Sequence, residues 1–413
     1  CNPNFQKLDG TAENFYRNKN GTISNRIRGF IMSKHKHQKR KKNKLTLVFP
    51  LFLILLAFSG MYAEHSYPEH HATKKSSTPA TKTTTDLTNQ QPIEPKNATS
   101  AGIEQLLVEK NFSGTVLVFQ HGQVILNKAY GWKDQARRIH NTIHTQYCIG
   151  SVQKGQTAYL IMQAVKSGKI SLEEKLSTFY PQISNSEKIS IKDMLNMSSG
   201  LRIDEKKIAA LNTTDPQKIL SETIRQTTVA ANSSYSYQPV NYVLLAGILE
   251  QVYHTDYSTL FDKLLRKPMK LKETSFYSET NNQQALSYSE SSSGPVYAPT
   301  TVSSYADELG TGNVFMSGED LYSYFQDLYQ DKFLTTQERA ALWQSYPGEK
   351  YASGIYNMTN NYHSRGVKAR FEALVDFSKD GQNGIILLSN VWTQPKGYND
   401  IVSKLYKQVV AGS

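Results

Sequence analysis

The chain has 413 residues, 38% of them hydrophobic, and a formal net charge of +12; that length allows one large domain or two ordinary ones. The charge at first suggests a nucleic-acid partner, but it is confined to the N-terminus. Residues 1 to 62 hold 12 Lys/Arg against Asp9 and Glu13, residues 63 to 101 hold four of each sign, and the remainder holds 31 basic and 29 acidic residues, so a basic nucleic-acid footprint is excluded for the folded part.

Residues 1–44 read as a basic cytoplasmic tail. Within it, residues 1–31 precede a typical start at Met32 and read as upstream sequence, with a lipidated Cys1 as the alternative. Leu45 to Tyr62 is an uncharged run of 18 residues, "LTLVFPLFLILLAFSGMY", long enough to span a bilayer. Seven Lys/Arg/His residues between Lys34 and Lys41 flank it, and the positive-inside rule places everything after it outside the cell. The expectation is a retained signal-anchor, with a cleaved signal peptide as the alternative. Residues 63–101 are rich in Ser, Thr, Pro, Lys, Gln and Asn and read as a disordered spacer; His65, His70 and His71 within it read as solvated, not as a metal site. Only Cys1 and Cys148 occur, so a disulfide framework is absent, and Cys148 among apolar neighbours reads as a buried structural thiol.

The folded domain is expected over 102–413. "GTVLVFQHGQVILNKAYGW" reads as a β-hairpin around a Gly turn. From Thr157 to Lys218 the apolar period is helical, with loops at "KSGKIS" and "NMSSGL", and helical, loop-rich sequence continues to about Tyr329. Strands return in "FEALVDF" and "NGIILLSN", joined by "SKDGQ", and "YNDIVSKLYKQVV" closes the chain as a helix. Strands at both ends with helices between imply an α/β (α+β) fold: one antiparallel sheet made from both termini, flanked by helices, with an inserted, mostly helical region.

At the mouth of the first inserted helix stand Ser151 and Lys154. Ser-x-x-Lys alone is weak evidence, and Ser33 and Lys36 repeat it inside a solvated charge run. A serine at a helix N-terminus nevertheless feels the positive end of the macrodipole, and a lysine one turn on shares its face. A lysine whose proton affinity is lowered by its surroundings can serve as a base near neutrality.

Six stretches in order, "FSGTVLVFQHGQVILNKAYG", "CIGSVQKGQTA" with "SGKISLEEKLSTFYPQI", "ISIKDMLNMSSGL", "YSYQPVNYVLLAGILEQV", "GTGNVFMSGEDL" and "FEALVDFSKDGQNGIILLSN", resemble the serine β-lactamase and penicillin-binding protein family. The likeness covers about residues 102 to 410 and is to the class C and D,D-peptidase branch, with features nearest the Gram-positive teichoic-acid D-alanyl esterases. The resemblance implies a β-lactamase/transpeptidase-like fold, Ser151 as acylated nucleophile and Lys154 as base or proton relay. It puts Tyr237 in the place of the family's acid/base tyrosine, with a packed aromatic as the bland reading. Pro239 stands where the family has an asparagine that reads the substrate amide.

In "YHSRGVKARF" the resemblance places His363, Ser364 and Arg365 in the third motif and gives the Gly366 N–H, with that of Ser151, to the oxyanion hole. Counting back from "FEALVDF" leaves that register open by one residue. His363 has a strand histidine as its alternative, and Arg365 is either a surface arginine or a fork for carboxylate or phosphate.

The function implied is that of a membrane-anchored extracellular serine hydrolase working through an acyl-enzyme on D-alanyl groups, first of all esters on teichoic acid. It requires no cofactor and no metal, its partners are a cell-wall polymer and the membrane, and the residues say nothing of its oligomeric state. The competing readings are a D,D-carboxypeptidase or β-lactamase, and a non-catalytic penicillin-binding or wall-binding module.

Overall fold

The computed structural model describes residues 91–231, 234–393 and 397–412. The basic tail, the apolar run at 45–62 and most of the spacer lie outside them. No helix among the described residues is long and apolar enough to cross a membrane.

The first helix, α1 (Ala98–Glu109), opens on a reciprocal cap. The Ser100 N–H donates to Asn97 Oδ1 at 2.9 Å, and the Asn97 N–H donates to Ser100 Oγ at 3.1 Å. Ile93 already pairs with Asn127, so the fold begins ahead of the expected boundary at Ala101. Composition missed this because the cap residues are themselves polar.

β1 (Gly114–Gln120) and β2 (Gln123–Tyr130) make the expected hairpin. Its two-residue turn, His121 and Gly122, has positive φ at both positions, the backbone that follows strand twist most closely. β1 is buried along its whole length. Val116 and Val118 join a cluster with α1, while Leu117 and Phe119 join the main core on the other face. Successive strand residues point to opposite faces, so an unbroken apolar run suits a sheet covered on both sides.

The chain then leaves the sheet. A short turn, Gly150–Val152, runs into α2 (Gln153–Lys166), which packs on α3 (Val240–Tyr253). After α4 (Gly318–Asp327) it returns as β3 (Tyr351–Ala352), β4 (Ile355–Asn357), β5 (Asn361–Lys368), β6 (Phe371–Ser378) and β7 (Gly384–Ser389). α5 (Asn399–Ala411) ends the chain and packs beside α1.

The sheet is seven-stranded, in the order β3-β4-β5-β6-β7-β1-β2, with antiparallel neighbours throughout. Strands from both termini thus share one sheet, and the helical region lies between them in sequence, as the patterning implies.

Candidate active site

Ser151 lies in the turn that feeds α2, and Lys154 lies one turn further on. Lys154 is 1% exposed, so its ammonium must be satisfied internally. It donates to Ser151 Oγ at 2.9 Å and to the Thr311 carbonyl at 3.2 Å, and it stands 5.2 Å from the centroid of the Tyr237 ring. The structure therefore brings Ser151, Lys154 and Tyr237 together.

Tyr237 precedes α3 on a segment pinned to the "NMSSGL" loop. The Ser236 N–H donates to the Met197 carbonyl at 2.9 Å, and Ser199 Oγ donates to Asn241 Oδ1 at 2.6 Å. Pro239 is the N-cap of α3 with φ −55°, a helix-ready backbone without an amide side chain. Tyr237 also meets Tyr351 edge to face at 5.7 Å, which fixes its ring plane.

β5 supplies the opposite wall, and its hydrogen-bond parity can be read from two hairpins. Lys368 and Phe371 flank the two-residue turn Ala369–Arg370, with φ 48° and 70°, so they form the bonded pair. Counting back by twos, Gly366 is bonded to Ala373 of β6. On the other edge the Met358 N–H donates to the Asn361 carbonyl, so Asn361 and His363 turn their amides toward β4. Arg365 and Val367 share that direction, past the end of β4.

The Gly366 N–H is thus committed within the sheet, and the Val367 N–H is the one turned toward the site. This corrects the assignment of Gly366 as oxyanion donor. Gly366 acts as a spacer. A Cβ there would lie 1.9 Å from the Ile149 carbonyl oxygen and 2.7 Å from the Ser151 nitrogen. Gly150, at φ +48°, packs reciprocally, and a Cβ on it would lie 2.8 Å from the Val367 nitrogen. The amides of Ser151 and Val367 consequently lie side by side across this contact.

The same parity relocates the other third-motif residues. Side chains 364, 366 and 368 share the face of the main core, whereas 363, 365 and 367 share the face of Glu372 and Asp376. Ser364 Oγ donates to the Gly354 carbonyl at 2.9 Å and is buried. His363 Nδ1 lies 3.2 Å from Asp376 Oδ2, a pairing with a neighbouring strand that takes it off the Ser151 face. Arg365 is not an open fork for a phosphate, because its Nε and Nη2 both donate to Glu372 Oε1 at 2.8 Å.

Sequence reasoning missed Glu308, Thr311, Val367 and Lys368. Lys368 Nζ reaches Glu308 Oε1 at 2.7 Å and Asp307 Oδ1 at 3.2 Å, and Thr311 Oγ1 donates to Glu308 Oε2. Burial pushes the Glu308 carboxyl up, but the Lys368 and Lys154 ammoniums outweigh it and hold the group below its ordinary range. Lys368 is pushed down by burial and more than restored by Glu308 and Asp307, ending above the ordinary lysine value. The only signal in the sequence was position, just before the glycine-rich "GTGN". Cys148 is fully buried, donates to the Gly312 carbonyl at 3.3 Å and is pushed up to about 12 by burial, as befits the structural thiol expected.

Elsewhere in the fold, His144, Glu273 and Glu319 bring candidate ligand atoms within 4.8 Å of one another. His144 pairs with Glu273 at 2.6 Å and Asn127 donates to Glu319 at 2.7 Å, so this group reads as a polar network of the core.

A buried lysine bonded to a serine at a helix mouth, a tyrosine beside it and two converging backbone amides can carry out acyl transfer. The family model described as Beta-lactamase matches residues 101–358. The chain is 26% identical over 392 residues to the putative penicillin-binding protein PbpX of Bacillus subtilis (strain 168), across 90% of this chain and 96% of that protein. It is 27% identical over 252 residues to the teichoic acid D-alanine hydrolase of Staphylococcus aureus (strain NCTC 8325 / PS 47), spanning 60% of this chain and only 62% of that protein. Among solved structures, FmtA from Staphylococcus aureus superposes with a TM-score of 0.68 at 22% identity, across 78% of this chain and 90% of that one. D-amino acid amidase from Ochrobactrum anthropi SV3 gives 0.65 at 16% identity, across 76% and 98%. At these identities the structural likenesses establish the fold.

Proposed function

This chain belongs to the beta-lactamase family and is a serine hydrolase, and on that premise we propose that it removes D-alanyl esters from teichoic acid outside the cell, tethered by its N-terminal apolar run. Ser151 Oγ attacks the ester carbon while Lys154 takes its proton. The carbonyl oxygen gathers charge against the Ser151 and Val367 N–H groups. Tyr237 and Lys154 return a proton to the departing alcohol as the ester C–O bond breaks, which leaves a D-alanyl group on Ser151. Water then attacks the same carbon, Lys154 and Tyr237 move its proton, and D-alanine leaves with Ser151 restored.

The observation that carries the ester over the peptide is Pro239. A substrate amide needs a polar partner in a closed site, and an unpaired one costs about 1–3 kcal/mol; Pro239 offers no side-chain partner, whereas an ester has no N–H to satisfy. The likeness to a teichoic acid D-alanine hydrolase supports the same choice. Support for the tether is the uncharged run 45–62 with its basic flank, followed by a spacer long enough to reach a polymer in the wall.

The likeness to PbpX across nearly its whole length favours a second reading, a penicillin-binding protein acting on peptides. Incubating the purified full chain with D-alanylated teichoic acid and with a D-Ala-D-Ala stem peptide separates them. Faster D-alanine release from the polymer is expected, and faster release from the peptide would replace the esterase reading by a carboxypeptidase.

A further inference from the structure

The loop that carries Thr311 lies under the Ser151 turn. It is folded on itself, with the Thr311 N–H donating to the Glu308 carbonyl at 3.0 Å. The Glu308 carboxylate sits against Gly312, where a Cβ would lie 2.7 Å from its Oε2 and 3.5 Å from the Gly150 carbonyl carbon. From β5, Lys368 bonds that carboxylate, and from the loop Thr311 Oγ1 does so too. The Thr311 carbonyl, on the same residue, accepts from Lys154. One carboxylate thus ties together the lysine at the helix mouth, the strand bearing the Val367 amide and the turn bearing Ser151.

Charge follows the same lines. The groups facing Lys154 are Ser151 and Tyr237, the Thr311 carbonyl and Glu308 from the loop, and beyond Glu308 its partners Lys368 and Asp307; the Cys148 thiol lies near the same loop. Two carboxylates and two ammoniums are balanced while Lys154 holds its proton. Glu308 is the carboxylate on which both ammoniums act, and they hold it below its ordinary range against the effect of burial.

We propose that Glu308 is the positioning residue for Lys154: clamped by Lys368, it holds the Thr311 carbonyl on the lysine and stabilises the ammonium formed when Ser151 gives up its proton. This rests on the reading of Ser151 as nucleophile, and the test keeps the two apart. Hydrolysis of p-nitrophenyl acetate by the full chain is followed against pH, reading the acid limb of kcat/KM, where Lys154 must be unprotonated. Glu308→Gln removes an anion from beside the helix-mouth lysine, so the limb is expected at lower pH than in the parent. Lys368→Met leaves the carboxylates uncompensated and moves the limb to higher pH. The double variant returns toward the parent, and Lys368→Arg, which keeps the charge, leaves the limb in place.

A merely structural role would lower activity in both single variants without moving the limb in opposite directions. Shifts of the same sign, or none, overturn the proposal. Where Glu308→Gln fails to fold, Lys368→Met against Lys368→Arg carries the test, and an unmoved limb in Lys368→Met overturns it. If Ser151→Ala retains hydrolysis, it is the nucleophile reading that fails, whatever the limb does.

Discussion

Replacing Gly366 by alanine puts the spacer reading at risk. The new Cβ would sit 1.9 Å from the Ile149 carbonyl oxygen, 2.7 Å from the Ser151 nitrogen and 2.9 Å from the Gly150 carbonyl carbon. All three are backbone atoms, so no side chain can swing aside. Carbon and carbonyl oxygen approach to about 3.3 Å at closest, so β5 and the Ser151 turn must separate by about 1.4 Å. That carries the Val367 amide away from the Ser151 amide. Loss of one oxyanion donor costs about 100- to 1,000-fold in kcat, and the strain costs about 1–3 kcal/mol of stability. The assay is steady-state ester hydrolysis beside a thermal melt. A folded Gly366→Ala with parental kcat would refute both the close approach and the pairing of the two amides.

Ser151→Ala is expected to abolish ester turnover and covalent labelling by a serine-directed fluorophosphonate, read by mass spectrometry; undiminished labelling would move the nucleophile elsewhere. Tyr237→Phe is expected to slow kcat by roughly 100-fold, the usual worth of positioned acid/base help, and an unchanged kcat would leave Lys154 to move the protons alone. Pro239→Asn restores an amide at a helix N-cap, where asparagine is well tolerated, and should raise acylation by benzylpenicillin relative to ester turnover; an unchanged ratio would remove Pro239 from the specificity argument. Burial raises the Asp320 carboxyl to about 7, above its unfolded value of about 3.9. Its favourable contribution is therefore complete below about pH 4 and is lost as pH rises toward 7. In melts at pH 4.5 and pH 7, Asp320→Asn should gain on the parent as pH rises, and a constant difference would contradict the raised value.

The hairpins and the Ser151–Lys154 helix mouth were legible because each rests on local chemistry: a Gly turn between apolar runs, and two residues one helical turn apart. β5 was placed by the family resemblance and not by its own pattern, and its phase was left open by one residue. With a side-chain period of two, a slip of one residue exchanges the faces, which is how His363 and Arg365 were assigned to the cleft when they pair with Asp376 and Glu372. The phase is fixed by the turn at Ala369–Arg370, and neither residue type announces positive φ. Glu308 was illegible for another reason. Acidic residues in loops usually face water, and only the fold brings Lys368, 60 residues away in sequence, to its carboxylate.

β1 lies between β2 and β7, with Gly114 opposite Ser389, so the first strand of this sheet waits for the last strand of the same sheet. As the chain leaves the ribosome, β1 and β2 can form only an isolated hairpin, which is marginal in water. β6 and its neighbour β5, with Val367, lack their inner partner until Gly384–Ser389 has emerged. Serine and lysine are therefore synthesised long before the amides that would make them reactive have a sheet to hold them. A chain truncated between Lys154 and β7 would keep both of those residues and lack the inner strand against which β6 and β5, with the Val367 amide, are laid.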